Sequence, residues 1–245
     1  MNTRTTIRST GIVVALASEA GTLIARNAKP EQLTPLADGA ALWLSGMGPA
    51  AARRGAEALV QAGASALAVF GVAGALSEHL RNGELFLPER VLDDEGHAFV
   101  ADSAWRASLQ RLLAVTTAPL HTEGALLSVS APLLTAATKT SAHHRLAALA
   151  VDMESAAVAA VAQERDLPFA VLRAIVDEAQ DAIPEALHGS VDAWGRPRPL
   201  RLIAALCGHP SLVGELPRLY SRMQRATQTL RTAAQATGPA LGWHR

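Results

Sequence analysis

The chain has 245 residues, of which 49% are hydrophobic and only 4% aromatic, and its 22 basic side chains balance its 22 acidic ones. One core can serve that length, and a core so poor in rings must be packed from Ala, Leu and Val. The charge balance gives no electrostatic footprint for a nucleic-acid partner, and the single cysteine, Cys207, excludes an internal disulfide.

The opening MNTRTTIRST lacks the apolar stretch of an export signal, and the run Ala66–Leu76 is too short to cross a bilayer. A cytoplasmic protein is expected, with residues 1–9 flexible. Gly11–Ala17 (GIVVALA) is β-branched and apolar and runs into a helix-forming stretch at Ser18-Glu19-Ala20, the pattern of a buried strand feeding a helix. Ala40–Leu44 repeats it, with Ser45-Gly46-Met47-Gly48 as a turn and Pro49–Ala62 as a helix with proline in its first turn. Ala66–Phe70 is a third strand closed by a glycine turn, Gly71-Val72-Ala73-Gly74. Glu84–Leu92 and Ala125–Val129 read as strands, with a helix around Asp102–Ala114 between them. Leu146–Val151 runs into a helix over Asp152–Arg165, and Pro168–Ile175 ends at Val176-Asp177.

Beyond Gln180 a long irregular connection precedes helices around Leu200–Cys207 and from Ser211 toward Ala236; Cys207 reads as a small core residue. Pro217 interrupts or starts the last helix. This alternation predicts a single-domain α/β fold over 1–245, with a mixed central sheet in the middle of three layers and helices on both faces. Residues 180–245 form a C-terminal extension packed on or near the core. Ligands of such sheets gather at the carboxyl ends of strands.

Three acids stand near such ends. Asp177 follows an apolar strand, where partial burial would favour a protonated carboxyl able to donate to a ring nitrogen; Glu154 opens a helix directly after a strand; Glu19 follows the first strand and could orient a water. These are the groups needed to break a purine N-glycosidic bond, which demands a proton donor at the base and negative charge near the sugar. Position alone equally allows a turn residue, a helix-dipole carboxylate and a solvated first-turn glutamate. His143-His144 sits in a polar segment without acids at ligand spacing and reads as surface.

Taken together, the segments GIVVALASE (11–19), SGMG (45–48), GVAGAL (71–76), VDMES (151–155) and RAIVD (173–177) resemble the purine nucleoside phosphorylase superfamily, in particular its methylthioadenosine/S-adenosylhomocysteine nucleosidase branch. The resemblance implies that Asp177 is the acid toward purine N7 and that Glu19 positions the attacking water. It implies further that Glu154 holds the ribose hydroxyls with Met153 against the sugar. Ala73, Gly74, Val129, Leu133 and Val176 are expected in the base or sugar pocket, Leu16 and Met47 beyond the 5′ carbon, and adenine as the leaving base. No metal or organic cofactor is implied, and the family's habit predicts a homo-oligomer.

The chain departs from that pattern at Val72 and Val176, each in place of a serine, and at Pro132, in place of a base-stacking phenylalanine. Ile183–Leu187, Asp192–Pro197 and Leu216–Leu219 resemble phosphorylase-family proteins associated with hopanoid biosynthesis, which points to adenosylhopane as a lipid-linked substrate. Leu212, Leu216, Leu219 and Met223 interleaved with Arg218, Arg222 and Arg225 would then suit peripheral contact with an anionic membrane. Two other outcomes stay open. One is a phosphate-dependent phosphorylase using Arg26, Arg53 or Arg54 to hold phosphate; the other is an inactive nucleoside-binding protein.

Overall fold

A computed structural model describes residues 9–25, 28–187 and 189–243; the flexible start expected at 1–9 falls, Ser9 apart, outside them. The strands are β1 (Thr10–Val14), β2 (Leu33–Pro35), β3 (Ala41–Leu44), β4 (Ala66–Ala75), β5 (Leu85–Phe86), β6 (Arg90–Leu92), β7 (Ala98–Val100), β8 (Leu120–His121), β9 (Ala125–Ser128), β10 (Ala148–Asp152) and β11 (Phe169–Asp177). The helices are α1 (Ala17–Leu23), α2 (Pro49–Gln61), α3 (Ser103–Leu113), α4 (Ala136–Leu146), α5 (Ser155–Glu164), α6 (Pro199–Gly208) and α7 (Leu212–Thr237).

All the strands join one mixed sheet, in the order β2-β3-β1-β4-β10-β9-β6-β7, with β11 paired to β4 and β5, and β8 to β5. β4 is the hub: β1 and β11 flank it in parallel, and its last residues meet β10 antiparallel. The alternation of side chains across the sheet explains the layers. Val13, Leu67, Val69, Val171 and Ile175 face α2 and α5 through Ala52, Ala56, Leu59, Val158 and Ala162. Ile12, Val14, Phe70, Leu172 and Ala174 face the opposite layer, where Ala20 of α1, Trp105 and Leu109 of α3, and Ala226, Leu230 and Ala233 of α7 pack. Small residues on these helices let them lie close to the sheet, as the aromatic-poor composition requires.

Four expectations need correction. The glycine turn expected at Gly71–Gly74 is strand: β4 runs unbroken to Ala75. Glycine is needed at Gly71 because a Cβ there would collide with the Glu19 carboxylate and the Arg173 guanidinium. The single strand expected over Glu84–Leu92 is two, β5 and β6, separated across Pro88, which has no N–H for a ladder. Pro217 neither starts nor stops α7, which is continuous over 26 residues; standing in the second turn, it forgoes one intrahelical N–H bond without ending the helix. Cys207 is exposed rather than core, because α6 buries none of its residues. Among the described residues no helix is long and apolar enough to cross a membrane.

Candidate active site

Glu19 sits in the first turn of α1, directly after β1, and is 1% exposed. Three backbone N–H groups fix its carboxylate: Ala15 and Leu16 donate to Oε2 at 2.9 and 2.8 Å, and Val72 of β4 donates to Oε1 at 2.8 Å. Burial pushes this carboxyl up from its ordinary value, against the opposing pull of Arg173 and of the three amides. The hydroxyl that Val72 lacks is not needed for this bond, since the main chain makes it.

Asp152 ends β10 and caps α5, its Oδ1 accepting from the N–H groups of Glu154 and Ser155 at 3.2 Å each. Its other oxygen takes Ser155 Oγ and the guanidinium of Arg173. Glu154, the N-cap residue of α5, is 5% exposed and accepts from Gly48 N at 2.9 Å through Oε1, while Oε2 lies 3.5 Å from Arg173 Nη2. Arg173, fully buried in the middle of β11, thus stands against Asp152 and Glu154, with Glu19 beyond.

Burial, and then the charge of Asp152, raise Glu154 to about 7. The folded chain holds this proton more tightly than the unfolded chain, so the associated stability is full below about pH 4.5 and lost as pH rises through 7. Glu154→Gln, neutral at every pH, is expected to match the wild type in stability at pH 4 and to exceed it by up to about 3 kcal/mol at pH 8. Urea unfolding at the two pH values checks this; equal differences at both would contradict it.

Asp177 is placed by a bulge. β11 registers Ile175 with Ala73 but Asp177 with Gly74, so Val176 is one residue too many and the strand turns there. Asn82 Nδ2 donates to the carbonyls of Ile175 and Val176 at 3.1 and 2.9 Å, which satisfies the disturbed ladder. The carboxylate then lies against Gly74, where a Cβ would come within 3.0 Å of Oδ2. Lys139 of α4, whose side chain is 1% exposed, forms an ion pair with Asp177 and donates to the carbonyl of Glu178 at 2.9 Å.

These groups share a cavity of about 150 Å³. Its lining brings together all the residues expected there: Leu16, Glu19, Met47, Ala73, Gly74, Val129, Leu133, Met153, Glu154, Val176 and Asp177. It adds Ala15, Val72, Pro132, Lys139, Val151 and Asp152. Sequence reasoning missed Lys139 and the roles of Asp152 and Arg173. An arginine inside the apolar run FAVLRAIVD was a usable signal, because a charge there must find a buried partner. No comparable signal marks Lys139, whose helix was itself unpredicted.

The residues proposed for phosphate lie elsewhere. Arg53 is committed to Glu57 and Glu164, and Arg54 to Glu31, on the surface of α2; Arg26 lies outside the described residues. A turn at 191–197 closes one side of the site, with Ala17 N donating to Trp194 O at 2.9 Å and Met47 N to Ala193 O at 2.8 Å.

A mixed sheet between helical layers, with buried carboxylates meeting at strand ends around one cavity, defines the nucleoside phosphorylase-like class of α/β proteins. The chain belongs to the Phosphorylase superfamily, whose family model matches residues 11–206. Membership places it among enzymes that cleave N-glycosidic bonds with water or with phosphate.

Similar solved structures include the futalosine hydrolase of Helicobacter pylori, at 18% identity and TM-score 0.65, covering 94% of this chain and 98% of that one. Another is the 5′-methylthioadenosine/S-adenosylhomocysteine nucleosidase of Neisseria meningitidis in complex with methylthio-immucillin-A, at 15% identity and TM-score 0.68, covering 96% and 98%. At that identity the likeness is one of fold. No curated protein matches the chain.

Proposed function

We propose that the protein is a purine nucleosidase that releases adenine from an adenosyl compound by hydrolysis, with adenosylhopane of hopanoid biosynthesis as the substrate. The observation that carries the hydrolytic reading is the carboxylate of Glu19, held by three backbone amides inside a cavity whose charged lining is otherwise Asp152, Glu154, Asp177 and Lys139. The lone lining cation among the described residues is already paired with Asp177. A phosphate dianion entering this lining would meet more negative charge than positive, whereas a neutral water would not.

In the proposed reaction Asp177 protonates purine N7, positive charge develops on a ribose held by Glu154 with Met153 against it, and Glu19 orients the water that attacks C1′. Burial raises Glu19, which strengthens it as a base. The walls from Leu16, Met47, Val129, Pro132 and Leu133 are apolar, which supports an apolar 5′ substituent.

A lipid-linked substrate implies contact with a bilayer, and the surface that supports this differs from the one expected. Arg218 and Arg222 are both paired with Asp181, and Leu212 is buried, so two of the three arginines on this face of α7 already have a counter-charge within the protein. Exposed apolar residues lie also on α6, at Leu200 and Ile203, directly after the turn that walls the Leu16–Met47 end of the cavity, with Arg198 and Arg201 beside them. The reading carries with it a cytoplasmic homo-oligomer touching the membrane peripherally.

Adenine release from adenosylhopane and from methylthioadenosine, each with and without phosphate, tests the proposal. Phosphate-independent release from adenosylhopane is the expected result. Strict dependence on phosphate would make the protein a phosphorylase, a preference for methylthioadenosine would remove the lipid substrate, and binding without release would make it a nucleoside-binding protein.

A further inference from the structure

A lysine is almost never fully buried, and withdrawing its ammonium from water costs several kcal/mol. A buried ion pair repays that cost poorly compared with two apolar side chains of the same volume. Yet Lys139 is 1% exposed, lines the cavity, and gives its Nζ to the Asp177 carboxylate and to the Glu178 carbonyl. Among the described residues it is the only hydrogen-bond partner of the Asp177 side chain, and Val176 beside it has no hydroxyl to offer. In this ion pair Nζ is the donor and the Asp177 carboxylate the acceptor, and a carboxylate that only accepts has no proton for the lone pair of a purine ring nitrogen. The acid of the proposed reaction therefore needs a source for its proton, and the neighbouring group that carries one is Lys139.

We infer that Lys139 is the proton reservoir of Asp177, so that the pair, rather than the aspartate alone, supplies the proton to the leaving purine. The inference rests on the purine nucleosidase reading above. As the C1′–N9 bond breaks, its electron pair goes to the purine. One Nζ–H bond of Lys139 breaks, the Asp177 carboxylate takes up that proton and passes it on, and an N7–H bond forms. Asp177 ends as the anion it was at the start and Lys139 as a neutral amine. The attacking water gives its oxygen and one hydrogen to C1′ and its other proton to Glu19, which passes it to solvent, and solvent recharges Lys139. Lys139 acts through Asp177 and is a positioning residue in that sense.

The experiment compares the wild type with Lys139→Met, Asp177→Asn and the double variant on two substrates. One is the adenosyl compound that the wild type cleaves. The other is 4-nitrophenyl β-D-riboside, whose leaving group departs as a stable anion and needs no proton. Each single variant is expected to release adenine about 10²–10⁴-fold more slowly, and the double variant about as slowly as the worse single one, because both substitutions break one relay. Nitrophenolate release should fall less than about tenfold, since it draws on none of that acid catalysis.

Adenine release by Lys139→Met at the wild-type rate would overturn the inference, as would an equal loss on both substrates, which is the mark of a merely structural lysine, or losses that multiply in the double variant. Should Lys139→Met fail to fold, the wild type alone decides. Its adenine release should slow more in deuterium oxide than its nitrophenolate release does, because only the first draws a proton through the pair; equal solvent isotope effects on the two would overturn the relay. Cleavage of the nitrophenyl riboside with no adenine released from any adenosyl compound would overturn the nucleosidase reading and the relay together, whereas normal adenine release by Lys139→Met overturns the relay alone.

Discussion

An Asp177→Asn enzyme is expected to release purine about 10²–10⁴-fold more slowly than the wild type, the range that one positioned acid contributes. The amide is nearly isosteric, so the bulge at Val176 and the close approach to Gly74 are kept. It can still direct an N–H at a ring nitrogen, but it cannot release that proton. Its fold will not be untouched, because Lys139 loses its counter-charge while remaining out of water. A modest fall in Tm should therefore accompany the loss of turnover. Single-turnover kinetics with the melting temperature measured alongside separates the two effects. Turnover like that of the wild type would take Asp177 out of the acid role.

The largest effect on stability is expected at Arg173. Its guanidinium is fully buried and faces Asp152 and Glu154, with Glu19 close enough to feel it. Arg173→Met keeps a long apolar stem in the sheet but leaves three carboxylates in a dry interior without a cation. Removing one partner of a buried pair costs about 3–5 kcal/mol. In a chain of this size that corresponds to a fall in Tm of roughly 6–20 °C. Protonation of the orphaned acids should recover part of the loss, so the deficit is expected to shrink as pH is lowered from 8 to 5. A variant melting within two or three degrees of the wild type at pH 8 would mean that the carboxylates are neutral already and that Arg173 balances little.

The alternation of strand and helix was legible in the sequence because the central strands are buried on both faces and read as continuous apolar runs. Ile12–Val14 and Phe169–Leu172 are such runs. What was not legible depends on contacts far apart in the chain. Gly71-Val72-Ala73-Gly74 has the composition of a turn, and only the pressure of Glu19 and Arg173 against Gly71 shows why glycine serves there within a strand. Helix α4 has mixed polar residues and little apolar periodicity, so its start at Thr135, which accepts from Thr138 N, escaped notice, and Lys139 with it. Cys207 looked internal because its helix is apolar; nothing local could say that α6 would be left without a covering layer. The acids were found by their place at strand ends, with resemblance supplying their roles. The cations that answer them were not, because a salt bridge joining Lys139 to Asp177 or Asp152 to Arg173 leaves no periodic trace in either segment.

The three hydrogen bonds that seat Glu19 come from the main chain of Ala15, Leu16 and Val72. Every residue except proline carries that same N–H, while these three residues also line the cavity. The anchor and the wall are thus written in different alphabets at the same positions. Drift at 15, 16 or 72 can recut the space offered to a ligand while the carboxylate keeps its seat, so a lineage built on this frame is free to change what it admits without first dismantling how it works.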